Sequence, residues 1–454
     1  MEQLNEMSKL KSYIGRKIPL LKNQPEVPST SKIQQAVMIT EKGYRCFRCG
    51  NEDQRFFYTH PCSWCHLDCT YCRKCVNMGK MTTCTKLVVN EEDVSLTEPI
   101  SALAWSGELS PQQKEASNQV VSAVKNETNL LLWAVCGAGK TEMLFHGIET
   151  ALQQGKNVCI ATPRVDVVIE LVHRFRQAFP TVSIVALYGG SEEKWDGHRI
   201  AITTVHQLMS FRRAFHLLVI DEVDAFPYNI EKHLHWVANE ARTVKGSTIQ
   251  LTATPSVKQQ QLALRGKIPN AMVPARFHRQ PLPVPRFQWI GNWRNYMKKY
   301  EGLPPALTNW ITSHLPSKCP IFLFVPTIKE SSLIEQCVRK LTPLTASVHS
   351  EDPERHEKVA SFRKGEILVL VTTTILERGV TIINSQIAVL GADEEIFTES
   401  ALVQIAGRAG RHPQFANGDV VYFHHGKSEE MVKARTQILL MNKLGFEKGW
   451  LDSK

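Results

Sequence analysis

Eight residues, Ala134-Val135-Cys136-Gly137-Ala138-Gly139-Lys140-Thr141, sit between the apolar run Leu130-Leu131-Leu132-Trp133 and the sequence Glu142-Met143-Leu144-Phe145. That order reads as strand, loop, helix. A glycine-containing loop lets backbone N–H groups close around phosphate oxygens, and the start of a helix adds a favourable dipole. Lys140 would reach the outer phosphates of a bound nucleoside triphosphate, and the Thr141 hydroxyl would ligate magnesium. The first position of the G-x-x-x-x-G-K-[ST] pattern is Ala134, so the match is incomplete on its face. About eighty residues downstream, the apolar run Leu217-Leu218-Val219-Ile220 ends in Asp221-Glu222-Val223-Asp224. Two adjacent acids at a strand end place one carboxylate, Asp221, on magnesium and the other, Glu222, beside the attacking water. Farther on, Gln404-Ile405-Ala406-Gly407-Arg408-Ala409-Gly410-Arg411 spaces two arginines three apart, so that on a helix they share a face. Planar guanidinium groups suit a triphosphate whose charge grows during transfer. Thr252-Ala253-Thr254 ends another apolar run. Its hydroxyls either bridge the acidic pair to a further element or form an ordinary strand end.

Eight of the twelve cysteines lie between Cys46 and Cys84. Clustered C-x-x-C pairs in a chain of this length point to metal rather than to a disulfide framework. Cys46, Cys49, Cys62, Cys65, Cys69, Cys72, Cys75 and Cys84 offer more thiolates than one tetrahedral zinc ion takes. On spacing alone, Cys46, Cys49, Cys62 and Cys65 make a good zinc ribbon. Arg45, Arg48, Arg55, Arg73 and Lys74 are interleaved with Phe47, Phe56, Phe57, Tyr58 and Tyr71. They could track a nucleic-acid strand by charge and stacking, or the aromatics could fill the core of a small metal module.

These groups need a scaffold to position them. The chain has 454 residues, 43% of them hydrophobic and 22% charged, which is the composition of an ordinary globular protein of roughly three domains. The net charge of +10 suggests a polyanionic partner. No run approaches the roughly 18 apolar residues of a membrane span, and the first thirty residues carry no apolar signal core, so a cytoplasmic location without membrane insertion is expected. Residues 1–40 read as a polar tail or a loosely packed helical extension, and 87–108 as a connector with short strands at LVVN and ALAWSG. Then short apolar runs alternate with amphipathic stretches: NLLLWAV, NVCIAT, SIVALYG, RIAITT, HLLVID and STIQLTAT, separated by helices such as TEMLFHGIETALQQ and DVVIELVHRFRQAF. A proline-rich break at PARFHRQPLPVPRFQ reads as a semi-rigid linker, after which PIFLFVP, TASVHS, EILVLVTTT, QIAVLGA and GDVVYFHH restart the alternation. The pattern predicts two parallel α/β sheets covered on both faces. At strand ends, Thr162, Arg164, Thr204, His206, Thr373, Thr374 and Arg378 are candidates for phosphodiester contacts that read no bases.

In this order the segments resemble the superfamily 2 helicase and translocase motor: A-x-x-G-x-G-K-T at 134–141, ATPR at 161–164, the TTVHQ segment, DEVD at 221–224, TAT at 252–254, FLFVP, TTTILERG at 372–379 and Q-x-x-G-R-x-x-R at 404–411. Ala134 is acceptable in that pattern. The resemblance implies two RecA-like lobes, with ATP held by Ala134, Gly137, Ala138, Gly139, Lys140 and Thr141, and adenine by Gln113. It gives catalytic roles to Lys140, Asp221, Glu222, Gln404, Arg408 and Arg411. Thr381 departs from relatives that carry an acid there, which puts the coupling of ATP to strand contacts in doubt.

A cysteine module ahead of such a motor, with YRCFRCG, YCRKCVNMGK, IDEVDAFPY and FTESALVQIAGRAGRH, closely resembles the late-competence ComFA family. That resemblance implies a DNA-dependent ATPase, a translocase drawing transforming single-stranded DNA into the bacterial cytoplasm. It also implies partners in the membrane DNA channel and among other late-competence proteins, and ATP, Mg2+ and Zn2+ as cofactors. The family pattern selects Cys46, Cys49, Cys72 and Cys75 as zinc ligands. It leaves Cys62, Cys65, Cys69 and Cys84 for a second site, with His60 or His66 as substitutes. The domain reading is an extension at 1–40, a zinc module at 41–86, a connector at 87–108, an ATP-binding lobe at 109–275, a linker at 276–290 and a second lobe at 291–454. A replication-restart helicase of the primosomal type is an alternative, as is a nucleic-acid-binding scaffold with an inactive motor.

Overall fold

The computed structural model describes residues 13–20, 31–374, 382–415 and 418–452. The apolar runs of the middle region become strands β9 (Leu130–Ala134), β10 (Val158–Thr162), β11 (Ile184–Leu187), β12 (Ile200–Thr204), β13 (Phe215–Ile220), β14 (Arg242–Thr252) and β15 (Asn270–Val273). They form one seven-stranded sheet in the order β11-β12-β10-β13-β14-β9-β15. From β11 to β14 the pairing is parallel, with Thr162 opposite Thr204, Ala161 opposite Ile220, and Ile220 opposite Gln250. Helices α1 (Pro111–Lys125), α2 (Lys140–Gln153), α3 (Val165–Ala178), α4 (Lys232–Ala241) and α5 (Val257–Leu264) connect these strands. Strand β9 is buried at every residue, as expected of a strand covered on both faces. Strand β14 begins well before the expected STIQLTAT run, and β15 has no apolar run long enough to have announced it.

The second sheet has the order β16-β21-β20-β17-β19-β18 and is parallel throughout. Its strands are β16 (Arg286–Trp289), β17 (Ile321–Phe324), β18 (Thr345–Val348), β19 (Val369–Thr372), β20 (Gln386–Leu390) and β21 (Val420–His424). Its helices are α6 (Trp293–Tyr300), α7 (Pro305–His314), α8 (Ile328–Arg339), α9 (Arg355–Lys364), α10 (Glu399–Ala406) and α11 (Glu429–Glu447). Alternate strand residues (Ile321 and Leu323, Val369 and Val371, Ala388 and Leu390) share one core with Trp293, Leu307 and Trp310. Strand β16 lies inside the stretch expected to be a proline-rich linker. Pro281, Pro283 and Pro285 end just before it, and an edge strand tolerates a neighbouring proline because only one of its sides must pair.

The N-terminal region is built from short antiparallel strands: β1 (Lys17–Pro19), β2 (Ser31–Gln35), β3 (Val37–Thr40), β4 (Gly43–Cys46), β5 (Phe57–Pro61), β6 (Asp68–Cys72), β7 (Met81–Thr82) and β8 (Lys86–Asn90). Strand β8 pairs with both β1 and β2, β3 pairs with β4, and β6 lies between β5 and β7. The described part of the expected polar or helical extension is therefore strand, because β8 offers two edges and Ser31–Gln35 and Lys17–Pro19 fill them. The LVVN strand is present as part of β8, whereas ALAWSG forms none. Instead, the backbone N–H groups of Ala102 and Leu103 donate to the Glu149 carboxylate.

The described residues group into two compact units. One comprises Met1–Leu109, Gln113–Leu132 and Lys140–Ala271, and the other Ser110–Gln112, Trp133–Gly139 and Met272–Lys454. Within the first unit the cysteine region is continuous with the sheet. Cys46, Cys49, Cys72 and Cys75 lie in one core cluster with Phe215, Leu234 and Val237, and Trp236 of α4 packs against it. Gly50 stands at φ +72°, and a Cβ there would fall 2.3 Å from the Trp236 ring. Gly50→Ala adds left-handed strain to an overlap that the packed indole cannot relieve. It should destabilise this unit by about 2–4 kcal/mol in denaturant unfolding. Gly79→Ala is the control, because Gly79 also has a positive φ but nothing lies within 4 Å of its Cβ position; it should cost only about 1 kcal/mol.

Candidate functional site

Parallel pairing carries the ends of β10, β12, β13 and β14 to one edge of the first sheet, the edge where α/β proteins bind ligands. Thr162 and Thr204 terminate β10 and β12 and are buried. Asp221 follows β13 directly, with its N–H donating to the Ala161 carbonyl at 2.8 Å. The Asp221 carboxylate accepts the N–H of Glu222 at 2.9 Å, and Glu222 takes a left-handed φ of +54°. Such a backbone geometry in a non-glycine residue persists where the surroundings impose it, and functional sites are where it concentrates.

The loop after β9 turns through Gly137 (φ +81°) and Gly139 (φ +74°), with the Ala138 N–H donating to the Val135 carbonyl at 3.2 Å. Lys140 and Thr141 open α2. The Thr141 hydroxyl accepts a hydrogen bond from Arg174 at 3.3 Å, and the Arg174 guanidinium also pairs with Glu142. Hydroxyl and carboxylate oxygens such as those of Thr141 and Asp221 are the hard donors that magnesium prefers. Gln113 lies in the first turn of α1 and is buried. Its neighbour Gln112 accepts from the Ala275 N–H at 3.2 Å and donates to the Arg276 carbonyl at 3.3 Å.

Thr252 and Thr254 donate to the two carboxylate oxygens of Asp224, each at 2.6 Å. The triplet at the end of β14 is therefore tied to the last acid of the DEVD segment. Register brings them together: β13 and β14 are neighbours, and Asp224 follows the end that they share.

Among the strand-end candidates, Arg164 caps α3 in extended conformation and pairs with Asp166 at 3.3 Å. His206 lies in the short helical turn after β12, and burial pushes its imidazole below the usual histidine range. Thr373 and Thr374 follow β19, and the preceding Thr372 hydroxyl donates to the Val348 carbonyl at 2.9 Å. Arg378 and Thr381 lie outside the described residues.

The second unit places the arginine segment differently from a continuous helix. Helix α10 ends at Ala406, and Gly407 to Gly410 form turns, Gly410 with φ +65°. Arg408 is buried with its guanidinium over the Phe322 ring, 5.7 Å from the centroid. Arg411 folds back so that its Nε donates to the Gly407 carbonyl at 3.1 Å. The two arginines do not share a helical face, because the glycines that weaken a helix stop this one. Gln404, still on α10, accepts a hydrogen bond from the Cys136 thiol at 2.9 Å, so the phosphate-type loop and the glutamine of the arginine segment meet within one compact unit. Gly407 is required by that approach, since a Cβ there would stand 2.7 Å from the Cβ of Cys136.

Arg276 completes this arrangement, and sequence reading missed it. It is fully buried, and its guanidinium donates to the carbonyls of Ala409 at 2.8 Å, Gly407 at 3.0 Å and Gly410. The last carbonyls of a helix and its following turn have no intrahelical donor, and a fork of N–H groups satisfies several at once. Burial first, and then the nearby positive charge of Arg411, push Arg276 down to about 9. The only signal in the chain was an arginine inside a stretch read as linker.

The cysteines form two quartets, Cys46 with Cys49, Cys72 and Cys75, and Cys62 with Cys65, Cys69 and Cys84. Within each, the sulfurs lie within 4.8 Å of one another. A tetrahedral zinc site with Zn–S bonds of about 2.3 Å sets its sulfurs about 3.8 Å apart. In the first quartet Cys46 and Cys75 are 3.6 Å apart and Cys49 and Cys72 3.7 Å apart, so the four fit the metal. The ribbon of Cys46, Cys49, Cys62 and Cys65 is not formed, because β5 and β6 bring Cys72 rather than Cys62 to the first knuckle. Hydrogen bonds from Cys49, Cys72 and Cys75 hold the Cys46 thiol far below the usual thiol range. Two buried cations stand beside this quartet. Lys17 donates to the Arg48 carbonyl at 3.2 Å and lies over the Trp236 ring at 4.4 Å, and Arg48 donates to the carbonyls of Cys75, Met78 and Gly79. Four thiolates around a divalent ion carry a net charge of −2, which such cations offset. Of the interleaved aromatics, Phe47 and Phe57 pack on the core here, with Tyr44 beside them, whereas Tyr58 is 59% exposed.

Among the described residues, no helix is long and apolar enough to cross a membrane. The family model of the competence protein ComFA N-terminal domain matches residues 8–89, that of the type III restriction enzyme res subunit residues 106–257, and that of the helicase conserved C-terminal domain residues 304–413. Competence protein ComFA of Bacillus subtilis (strain 168) is 46% identical over 90% of this chain and 88% of its own length. Competence protein ComFA of Streptococcus pneumoniae (strain ATCC BAA-255 / R6) is 34% identical over 82% of this chain and 86% of its own. In fold, the chain is similar to Dbp5 of S. cerevisiae, solved with RNA and ADP BeF3 (TM-score 0.52, 14% identity, 75% of this chain and 96% of that one). It is also similar to RecG bound to a three-way DNA junction (TM-score 0.50, 18% identity, 77% and 48%). The two sheets are thus RecA-like lobes of the superfamily 2 helicase type, whose ATPase domains imply nucleotide hydrolysis. With that architecture, a cysteine-rich region fit for metal and relatives of this identity along nearly its whole length, the chain belongs to the ComFA family of competence proteins.

Proposed function

We propose that this protein is a DNA-dependent ATPase that moves along single-stranded DNA and drives transforming DNA into the bacterial cytoplasm, working at the inner face of the membrane through competence partners. The observation that carries the reading is the contact of Cys136 with Gln404, which seats the arginine-bearing turn on the phosphate-type loop. In this reading the backbone N–H groups of Gly137, Ala138 and Gly139 and the Lys140 ammonium bind the phosphates, and Gln113 serves the adenine. Thr141 and Asp221 would hold magnesium, which supplies charge neutralisation on the β- and γ-phosphates when bound. Arg174 already has Glu142 as a partner, so its long bond to Thr141 is readily given up. Glu222 holds and orients the water through its fixed backbone. Gln404, Arg408 and Arg411 sense the outer phosphate, and Arg276 positions the turn that carries Arg408. Thr162, Arg164, Thr204, His206, Thr373, Thr374 and Arg378 contact the strand backbone, and grip that differs between nucleotide states turns hydrolysis into movement. Zinc in the first quartet holds the N-terminal region to the ATP-binding lobe.

Lys140→Ala should abolish phosphate release while leaving the far-UV circular dichroism and the unfolding midpoint near wild type; wild-type turnover in that variant would overturn the assignment. Adding single-stranded DNA should raise turnover severalfold, and DNA affinity should fall linearly with salt on logarithmic axes. An ATPase indifferent to DNA would defeat the translocase reading, and efficient fork unwinding would favour the restart-helicase alternative. Arg276→Met should lower kcat by about ten- to a hundredfold with little change in KM for ATP, because it misplaces the arginine turn rather than the groups proposed to bind the nucleotide. Arg276→Lys should restore part of it. Equal loss of stability and activity in both variants, with no split between kcat and KM, would reduce Arg276 to a structural role.

A further inference from the structure

Cys62, Cys65, Cys69 and Cys84 have no part in the motor, and the first quartet is complete without them. The turn at Cys62-x-x-Cys65 repeats the one at Cys46-x-x-Cys49. Gly50 N–H donates to the Cys46 carbonyl at 2.8 Å, and His66 N–H donates to the Cys62 carbonyl at 2.9 Å. Both donors sit in the left-handed region, Gly50 at φ +72° and His66 at φ +59°. Glycine takes that conformation freely; histidine takes it where the knuckle demands it. The other two thiols come from β6 and from the turn after β7. Cys69 and Cys72 are three apart on β6, so they point to opposite faces of the strand, one into each quartet. Cys62 and Cys84 sulfurs are 3.8 Å apart and Cys65 and Cys69 sulfurs 3.2 Å apart, too far for disulfides. The Thr82 hydroxyl lies 3.1 Å from the Cys84 sulfur and 2.8 Å from the Thr85 hydroxyl, the kind of outer partner that orients a metal ligand.

We propose that these four thiolates bind a second zinc ion, which staples the outer end of the β5-β6-β7 sheet and is distinct from the ion of the first quartet. The segment needs such a staple. Strand β7 has two residues, and the apolar side chains of Trp64, inside the knuckle, and Leu67, between the knuckle and β6, are 50% and 71% exposed, so this end has little core of its own. Four sulfur donors in near-tetrahedral proximity select zinc over hard cations. The two ions should differ in accessibility. Cys46, Cys49, Cys72 and Cys75 are fully buried, whereas Cys62, Cys65 and Cys84 are partly exposed.

The test uses the full chain, purified without added metal, with zinc and iron counted by elemental mass spectrometry. Two zinc ions per chain are expected, and the double variant C62S/C84S should hold one while keeping the wild-type ATPase rate. A second measurement needs no variant. A chromophoric chelator should withdraw zinc from the wild-type chain in two phases of equal amplitude. Peptide mapping after alkylation should find Cys62, Cys65, Cys69 and Cys84 labelled after the first phase and Cys46, Cys49, Cys72 and Cys75 only after the second. One zinc per chain in the wild type, alkylation of the outer four thiols before any chelation, a disulfide among them, or iron in place of zinc would each overturn the proposal. So would a C62S/C84S chain that still holds two. Because metal content is read independently of turnover, a failed motor assignment would leave this result standing, and the reverse also holds.

Discussion

Parallel hydrogen bonding between strands is the constraint on which this molecule rests. With Thr162 opposite Thr204 and Ala161 opposite Ile220, the chemically useful residues can only emerge at one edge, because every one of them follows the last apolar residue of its strand. The middles of these strands are mostly apolar, and the buried hydroxyls of Thr162, Thr204 and Thr252 stand at their ends, next to the acids of the DEVD segment. A slip of one residue would turn each side chain to the other face and separate Asp224 from Thr252 and Thr254.

The second requirement is that chain ends and turns be held as firmly as strands. Helix α10 ends two residues before Arg408, and a turn that carries one arginine and leads into another would ordinarily be mobile. Arg276 removes that freedom by satisfying the carbonyls of Gly407, Ala409 and Gly410, and the missing Cβ of Gly407 lets Cys136 approach. A positive charge buried among carbonyl dipoles substitutes for a longer helix. Its own desolvation is offset by three charge-assisted hydrogen bonds.

The N-terminal region follows the same logic with cysteine quartets in place of helix ends. Its strands are short, and their cohesion comes from sulfur clusters, two buried cations and the insertion of the Trp236 ring against Gly50. The first quartet is as much a part of the core as the leucines beside it. Sharing that core is what makes the cysteine region continuous with the sheet rather than a bead on a linker.

The strands of both lobes, the phosphate-type loop, the acidic strand end and the identity of the family could be read from residue order, because apolar runs, glycine spacing and adjacent acids are local properties. Strands β1, β2, β15 and β16 could not, since none carries a long apolar run and each exists because a neighbouring strand offered an unpaired edge. Residue order also left two zinc ribbons open, Cys46 and Cys49 with either Cys62 and Cys65 or Cys72 and Cys75. The pairing of β5 with β6 decided between them, through the alternation of side chains on β6. The partners of Asp224, the role of Arg276 and the end of α10 at Ala406 were likewise settled by contacts between residues far apart in the chain. Local chemistry names the groups; only the packing of distant segments decides which of them meet.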